Sequence, residues 1–168
     1  MTRPNSPLFP EEPVATAGER AQLEAFLDSQ RREVVEKLAG LSDQMIRRRL
    51  VVSMTTPGGL LTHLAAVERS WFQRRLAQRP ADQIDGYPIG DDGSWAVEPD
   101  ASLADLIAEY EAACAESRRV AAGFELHHAV LHPRLGQVSL RWIYLHMIEE
   151  TARHAGHADI LREQIDAG

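Results

Sequence analysis

The sequence predicts an all-α protein folded as a four-helix bundle. Four segments carry apolar residues at spacings of three and four, the period of a helix that buries one face. The connections between them contain the glycine, proline and hydroxyl residues that end and start helices. Neither an alternation of strands with helices nor a glycine-rich phosphate-binding loop is present to indicate an α/β fold.

The composition limits the classes of function. Apolar residues make up 44% of the 168 residues and charged residues 26%, the balance of a water-soluble domain with a substantial core. The net charge is −7, and no clustered basic surface predicts binding to nucleic acid. No apolar run approaches the roughly 20 residues that span a bilayer. Without a signal-peptide layout, and with Cys114 as the single cysteine, we expect a cytoplasmic protein that lacks an intrachain disulfide.

The first element is predicted to be an arm rather than a helix. Residues 1–15 contain four prolines and are expected to be extended, ahead of a helical domain at residues 16–168. Thr16 and Glu19 have the spacing of a capping box, which predicts the start of the first helix. Gly40 is expected to end this helix, and a short helical segment is expected from Ser42 to about residue 49.

The second helix is predicted at about residues 57–78, with Thr56 as its cap and Pro57 in its first turn. His63 shares a face with apolar residues at helical spacing, so it lies on or beside the inward stripe. Four charged residues are expected to face largely outward: Glu68, Arg69, Arg74 and Arg75.

A long connection follows the second helix at residues 79–100, rich in Asp, Gly and Pro. A loop of this length in a small domain is usually functional or disordered. Trp95 is its large apolar residue, and we expect it to pack back over the bundle.

The last two helices have caps that the sequence identifies. Ser102 and Asp105 predict the start of the third helix, and Gly123 its end. Residues 124–137 are irregular in pattern, with room for a short extended piece. Ser139 then caps a fourth helix that runs nearly to the C-terminus.

The fourth helix contains a polar pair that needs a physical explanation. Its apolar face is predicted to contain Ile143, Met147, Thr151, His154, Ala158 and Leu161. Glu150 and His154 are four residues apart, so their side chains lie one above the other at the edge of that face. A carboxylate and an imidazole there cost free energy unless something neutralises or coordinates them.

A metal ion would provide that compensation, with His63 on another helix as a third ligand. Three nitrogen and oxygen ligands with an open position describe a catalytic metal site. The alternative is that these residues are hydrogen-bonded core groups, because a Glu-x-x-x-His spacing alone occurs by chance in many helices.

The remaining histidines are predicted to lie in two kinds of environment. His127, His128 and His132 fall in the irregular stretch and are predicted to be surface groups. His146 lies one turn before Glu150 and would either line the approach to the site or pack between helices.

Two stretches of the sequence resemble the DinB/YfiT-like superfamily, with the nearest similarity to a largely actinobacterial branch. They are residues 59–72, which contain His63, and residues 146–163, which contain Glu150 and His154. The resemblance implies a four-helix bundle of up-down-down-up connectivity, often dimeric, with a divalent metal. It also implies a relationship to thiol-dependent enzymes, including mycothiol-dependent maleylpyruvate isomerase and bacillithiol S-transferases.

In the superfamily the metal is held by a histidine from the second helix and a His-x-x-x-His pair from the last. His63 matches the first of these ligands and His154 the last, whereas Glu150 stands where the pair usually begins with histidine. The mycothiol-dependent isomerases also have a glutamate there, so the resemblance implies a working site. Two imidazoles and one carboxylate suit Zn²⁺ first, with Ni²⁺, Mn²⁺ or Fe²⁺ as alternatives.

His157 lies one turn beyond His154 and is the catalytic residue we predict. It could also bind the metal itself, or support a ligand from behind. Arg153 and Arg141 are candidates for binding an anionic substrate, with surface salt bridges as the alternative for each. Cys114 falls among apolar residues of the third helix and is not expected to react.

The resemblance and the predicted triad together indicate a thiol-dependent S-transferase or isomerase. The metal would bind a low-molecular-weight thiol as thiolate, and the thiol would attack a small electrophile that enters beneath the loop at residues 79–100. The alternatives are a non-catalytic, stress-associated bundle that binds a divalent metal, and an empty triad that serves as a polar core network. A homodimer is expected in either case, through the arm or the first helix.

Overall fold

The computed structural model describes residues 9–88 and 93–168, and these are mostly helical. The four predicted helices are present: α1 (Glu19–Leu38), α2 (Pro57–Glu68), α3 (Leu103–Ala121) and α4 (Leu140–Asp166). Short 3-10 turns lie at Glu12–Val14, Met45–Arg47 and Ala81–Gln83. No helix in these ranges is long and apolar enough to cross a membrane.

A β-hairpin between α3 and α4 departs from the all-α prediction. Strands β1 (Ala129–His132) and β2 (Gly136–Ser139) pair in antiparallel register, with Val130 opposite Val138. Both valines are buried against the start of α4, so the hairpin covers one end of the core. The short extended piece expected in residues 124–137 therefore exists, and it extends to Ser139.

The apolar stripe predicted for α4 is buried along its whole length. All six of its residues are at most 7% exposed: Ile143, Met147, Thr151, His154, Ala158 and Leu161. On α2, Leu60, Leu61 and Leu64 are fully buried in the core that α4 also enters. The packing of these two helices fixes the position of His63 relative to α4.

Three predicted caps are confirmed by hydrogen bonds. Thr56 accepts from the Gly59 amide, Ser102 and Asp105 form a reciprocal capping box, and Ser139 accepts from the Trp142 amide. Because Pro57 occupies the first turn of α2, His63 is set within two turns of a well-defined helix start.

The cap predicted for α1 is wrong. This helix starts at Glu19 itself, after Gly18, and no side chain caps its first turn. The carboxylate of Glu19 binds the guanidinium of Arg141 instead, with Nη2 2.9 Å from Oε2. An ion pair with a residue 122 positions away has displaced the local capping bond.

The second half of the predicted second helix is a π-helix. α2 ends at Glu68, and residues Arg69–Leu76 continue it with wider turns. The outward placement predicted for Glu68, the last residue of α2, and for Arg69, the first residue of the π-helix, is wrong, because both side chains are buried in ion pairs. Glu68 is 1% exposed and its carboxylate receives two bonds from Arg31 of α1, at 2.8 and 2.6 Å. Arg69 is also buried and pairs with Glu109 of α3 at 3.0 Å.

We expect Glu68→Gln to lower the free energy of unfolding by about 3 kcal/mol, because the buried Arg31 would lose the counter-ion that binds it twice and keep only the partly exposed Asp28. Chemical denaturation followed by circular dichroism measures this. Glu33→Gln is the matched control, since Glu33 forms an exposed pair with Lys37 worth at most about 0.5 kcal/mol. Equal losses in the two variants would contradict a structural role for the buried pair.

Candidate metal centre

Two helices bring three of the predicted site residues together. His63 extends from the second turn of α2, and Glu150 and His154 from adjacent turns in the middle of α4. One ligand atom from each lies within 4.8 Å of the other two. The side chains are only 17%, 16% and 9% exposed, so the group lies at the margin of the core.

The two histidines converge on a single carboxylate oxygen. Oε1 of Glu150 lies 3.1 Å from Nε2 of His154 and 3.4 Å from Nε2 of His63. Ligand atoms arranged tetrahedrally at about 2.1 Å from an ion are roughly 3.4 Å apart. The two distances to Oε1 of Glu150 are therefore close to the spacing that ligands of a small divalent ion require.

The charge state of Glu150 also suits a ligand. Hydrogen bonds from His154 and then from His63 hold the pKa of this carboxyl well below its usual range, against the opposing effect of burial. A metal ligand must be deprotonated, and this carboxylate is ionised at neutral pH. Its second oxygen, Oε2, is bound by Arg153 at 3.1 Å, which leaves Oε1 facing the histidines.

Residues of the long loop hold the ring of His63 in place. The indole of Trp95 stacks on the imidazole with centroids 4.0 Å apart and planes 10° from parallel. The hydroxyl of Ser94 lies 3.2 Å from Nδ1 of His63, on the ring nitrogen that faces away from Glu150. The prediction that Trp95 packs back over the helices is confirmed. Sequence reasoning missed Ser94, because it is 31 residues from His63 in a loop that has no period.

His157 contacts His154 as Ser94 contacts His63, at the ring nitrogen that faces away from Glu150. Its Nδ1 lies 3.3 Å from Nδ1 of His154, the ring nitrogen opposite the one that faces Glu150. Burial, followed by the charges of His154 and Arg153, lowers the pKa of His157. It is outside the group of three converging ligand atoms. This geometry suits a support for His154, while the predicted catalytic role of His157 stays a prediction.

The remaining candidates are Arg141 and Arg153 of α4 and Cys114 of α3, and none of them has a free reactive group. Arg153 binds Glu149 at 2.6 Å as well as Glu150, and Arg141 binds Glu19. The salt-bridge alternative is therefore correct for both arginines. Burial, followed by the charge of Glu68, raises the pKa of the Cys114 thiol, as expected for an unreactive core cysteine.

An aromatic group that the sequence did not reveal lies beyond the centre. The ring of His132 stacks on Trp71 at 5.4 Å, and His146 stacks on Trp142 at 5.1 Å. Trp71 also contacts His146 edge-on at 4.7 Å. The packing alternative for His146 is supported, since its ring contacts Trp71 of the π-helix, while a role at the approach to the site stays a prediction. His127 and His128 are exposed, as predicted, whereas His132 is half-buried.

The helical fold and the His-Glu-His group define a mainly helical protein with a candidate divalent-metal centre on its second and last helices. The family model described as mycothiol-S-transferase matches residues 22–167, and the chain therefore belongs to this family. The family resemblance drawn from the sequence is thus confirmed. No curated protein matches the chain.

We expect protein purified without chelators to contain about one equivalent of divalent metal, and His63→Ala and His154→Ala to lose most of it. Elemental analysis by mass spectrometry measures the content. The control is His128→Ala, an exposed histidine far from Glu150 in the sequence, which should retain the metal. Wild-type protein with far less than one equivalent would contradict a metal centre.

Proposed function

We propose that this protein is a metal-dependent S-transferase that joins a low-molecular-weight thiol to a small electrophile. The observation that carries the proposal is the convergence of His63, Glu150 and His154 on one point, in a chain of the mycothiol-S-transferase family. Mycothiol is the thiol that the family indicates. An isomerase that uses the thiol transiently would require the same site.

A divalent ion at this point would lower the pKa of a bound thiol, so that the sulfur reacts as a thiolate at neutral pH. In the transfer, a carbon–sulfur bond forms, the thiol proton passes to solvent, and the leaving group departs with its electron pair. The ionised carboxylate of Glu150 would be one negative ligand, and the two imidazoles would bind as neutral ligands. Zn²⁺ suits this set best, so we propose it as the native ion.

The surrounding residues fix which ring nitrogen of each histidine is free to bind. When Nε2 of His63 is a ligand, its Nδ1–H can donate to Ser94, 3.2 Å away. In the same way, Nδ1–H of His154 can donate to Nδ1 of His157. The stacked indole of Trp95 excludes water from one face of His63. A homodimer and a cytoplasmic location also belong to the proposal, on the family resemblance and the composition.

The proposal is tested by incubating metal-loaded protein with mycothiol and a panel of electrophiles, such as monochlorobimane and 1-chloro-2,4-dinitrobenzene. We expect thiol consumption and a thioether adduct of the correct mass, with both lost in Glu150→Ala. Glu163→Gln is the control, because Glu163 is an exposed carboxylate on the same helix, more than two turns beyond His154. Stoichiometric metal without turnover of any acceptor would instead favour the non-catalytic metal-binding protein.

We expect His157→Ala to lower the affinity for the metal about 10- to 100-fold, because His154 would lose the bond that orients its ring. Competition with a chromogenic chelator measures the affinity. His157→Asn keeps a hydrogen-bonding group and should recover part of the loss. If His157→Ala leaves the affinity unchanged but abolishes turnover, His157 is an acid or base, as the sequence predicted, and the supporting role is wrong.

A further inference from the structure

A cleft of about 550 Å³ starts at the candidate metal centre and runs along one side of the second helix. His63 and Trp95 line it at one end, and Arg75 lines it on the π-helical continuation of α2. Ser70 and Tyr87 also line it. At 1.5 Å per residue, the twelve positions from His63 to Arg75 place their backbones at most about 18 Å apart.

The side chains of Arg75 and His63 line the same cleft. Long side chains on a helix lean toward its N-terminus, and for Arg75 this is the direction of the metal centre. A molecule the size of a small extended metabolite can therefore have one end at His63 and the other at Arg75.

Arg75 has no ion-pair partner among residues 9–88 and 93–168, although it is half-buried. Two buried arginines bind carboxylates: Arg31 binds Glu68, and Arg69 binds Glu109. A partly buried cation without a counter-ion costs free energy, which an incoming anion would recover. Its positive charge also reaches the neighbouring His132, whose pKa is lowered by burial, then by Arg75 and Arg134.

We propose that this cleft binds the electrophile and that the electrophile carries a carboxylate, which Arg75 binds. This inference rests on the proposed function, in which the thiol brings its own sulfur anion to the His63 end of the cleft. The positive charge of Arg75 is then available to bind the electrophile. Arg75 thereby selects acceptors with a carboxylate remote from the reacting carbon, in a cleft that Ser70 and Tyr87 also line.

The inference is tested by equilibrium binding to metal-free protein, so that a carboxylate has no metal to coordinate. The probes are 4-phenylbutyrate and 4-phenylbutanamide, which have nearly the same shape and differ in charge. We expect the carboxylate to bind wild-type protein about 10- to 100-fold more tightly than the amide, since its hydrogen bonds are charge-assisted. Arg75→Gln should remove this preference, and Arg75→Lys should keep part of it.

The matched control is Arg134→Gln, which removes an exposed positive charge that also acts on His132 but does not line the cleft. It should leave the preference for the carboxylate intact. Equal binding of the two probes, no binding of the carboxylate, or equal effects of the two glutamine variants would each overturn the inference.

The metal content separates this inference from the proposed function. Arg75→Gln should retain a full equivalent of metal, whereas KM for an anionic acceptor should rise about tenfold or more. Two results together would reject the anion site but support the metal centre. They are a loss of metal in His63→Ala and unchanged carboxylate binding in Arg75→Gln.

Discussion

The arrangement of this protein depends on one carboxylate oxygen that two imidazoles approach from different helices. Oε1 of Glu150 receives His154 from the next turn of α4 and His63 from α2, at 3.1 and 3.4 Å. A partly buried carboxylate costs free energy unless its hydrogen bonds to the two imidazoles persist. These bonds persist only if the distance between α2 and α4 is fixed. The packed leucines of α2 and the buried stripe of α4 provide that spacing, and the contacts of Ser94, Trp95 and His157 fix the rings.

The parts of the fold that were predictable from the sequence are those set by local periodicity and local hydrogen bonds. The stripe of α4 and the caps at Thr56, Ser102 and Ser139 follow from residues within a turn of each other. The triad could be proposed because two of its members are four residues apart and the third shares a helix face with leucines. The family resemblance then selected it among several uses of those residues.

The features that escaped prediction depend on partners distant in the chain. Glu68 is buried because Arg31, 37 residues earlier, reaches it, and nothing near Glu68 in the sequence signals that pairing. The Thr16–Glu19 capping box failed for the same reason, since Arg141 takes the carboxylate. The change from α- to π-helix at Arg69 rotates the following residues, which a fixed period of 3.6 residues does not allow for. That segment also carries Arg75, so the residue assigned to solvent became part of the cleft wall.

The central claim is that His63, Glu150 and His154 bind the same ion, and X-ray absorption at the metal edge tests it most directly. The account predicts a first shell of nitrogen and oxygen at about 2.0–2.1 Å, with the outer-shell scattering of two imidazoles. In His63→Ala reloaded with excess metal, that scattering should fall to one imidazole. An ion surrounded by oxygen alone, with no imidazole signal in wild-type protein, would contradict the account.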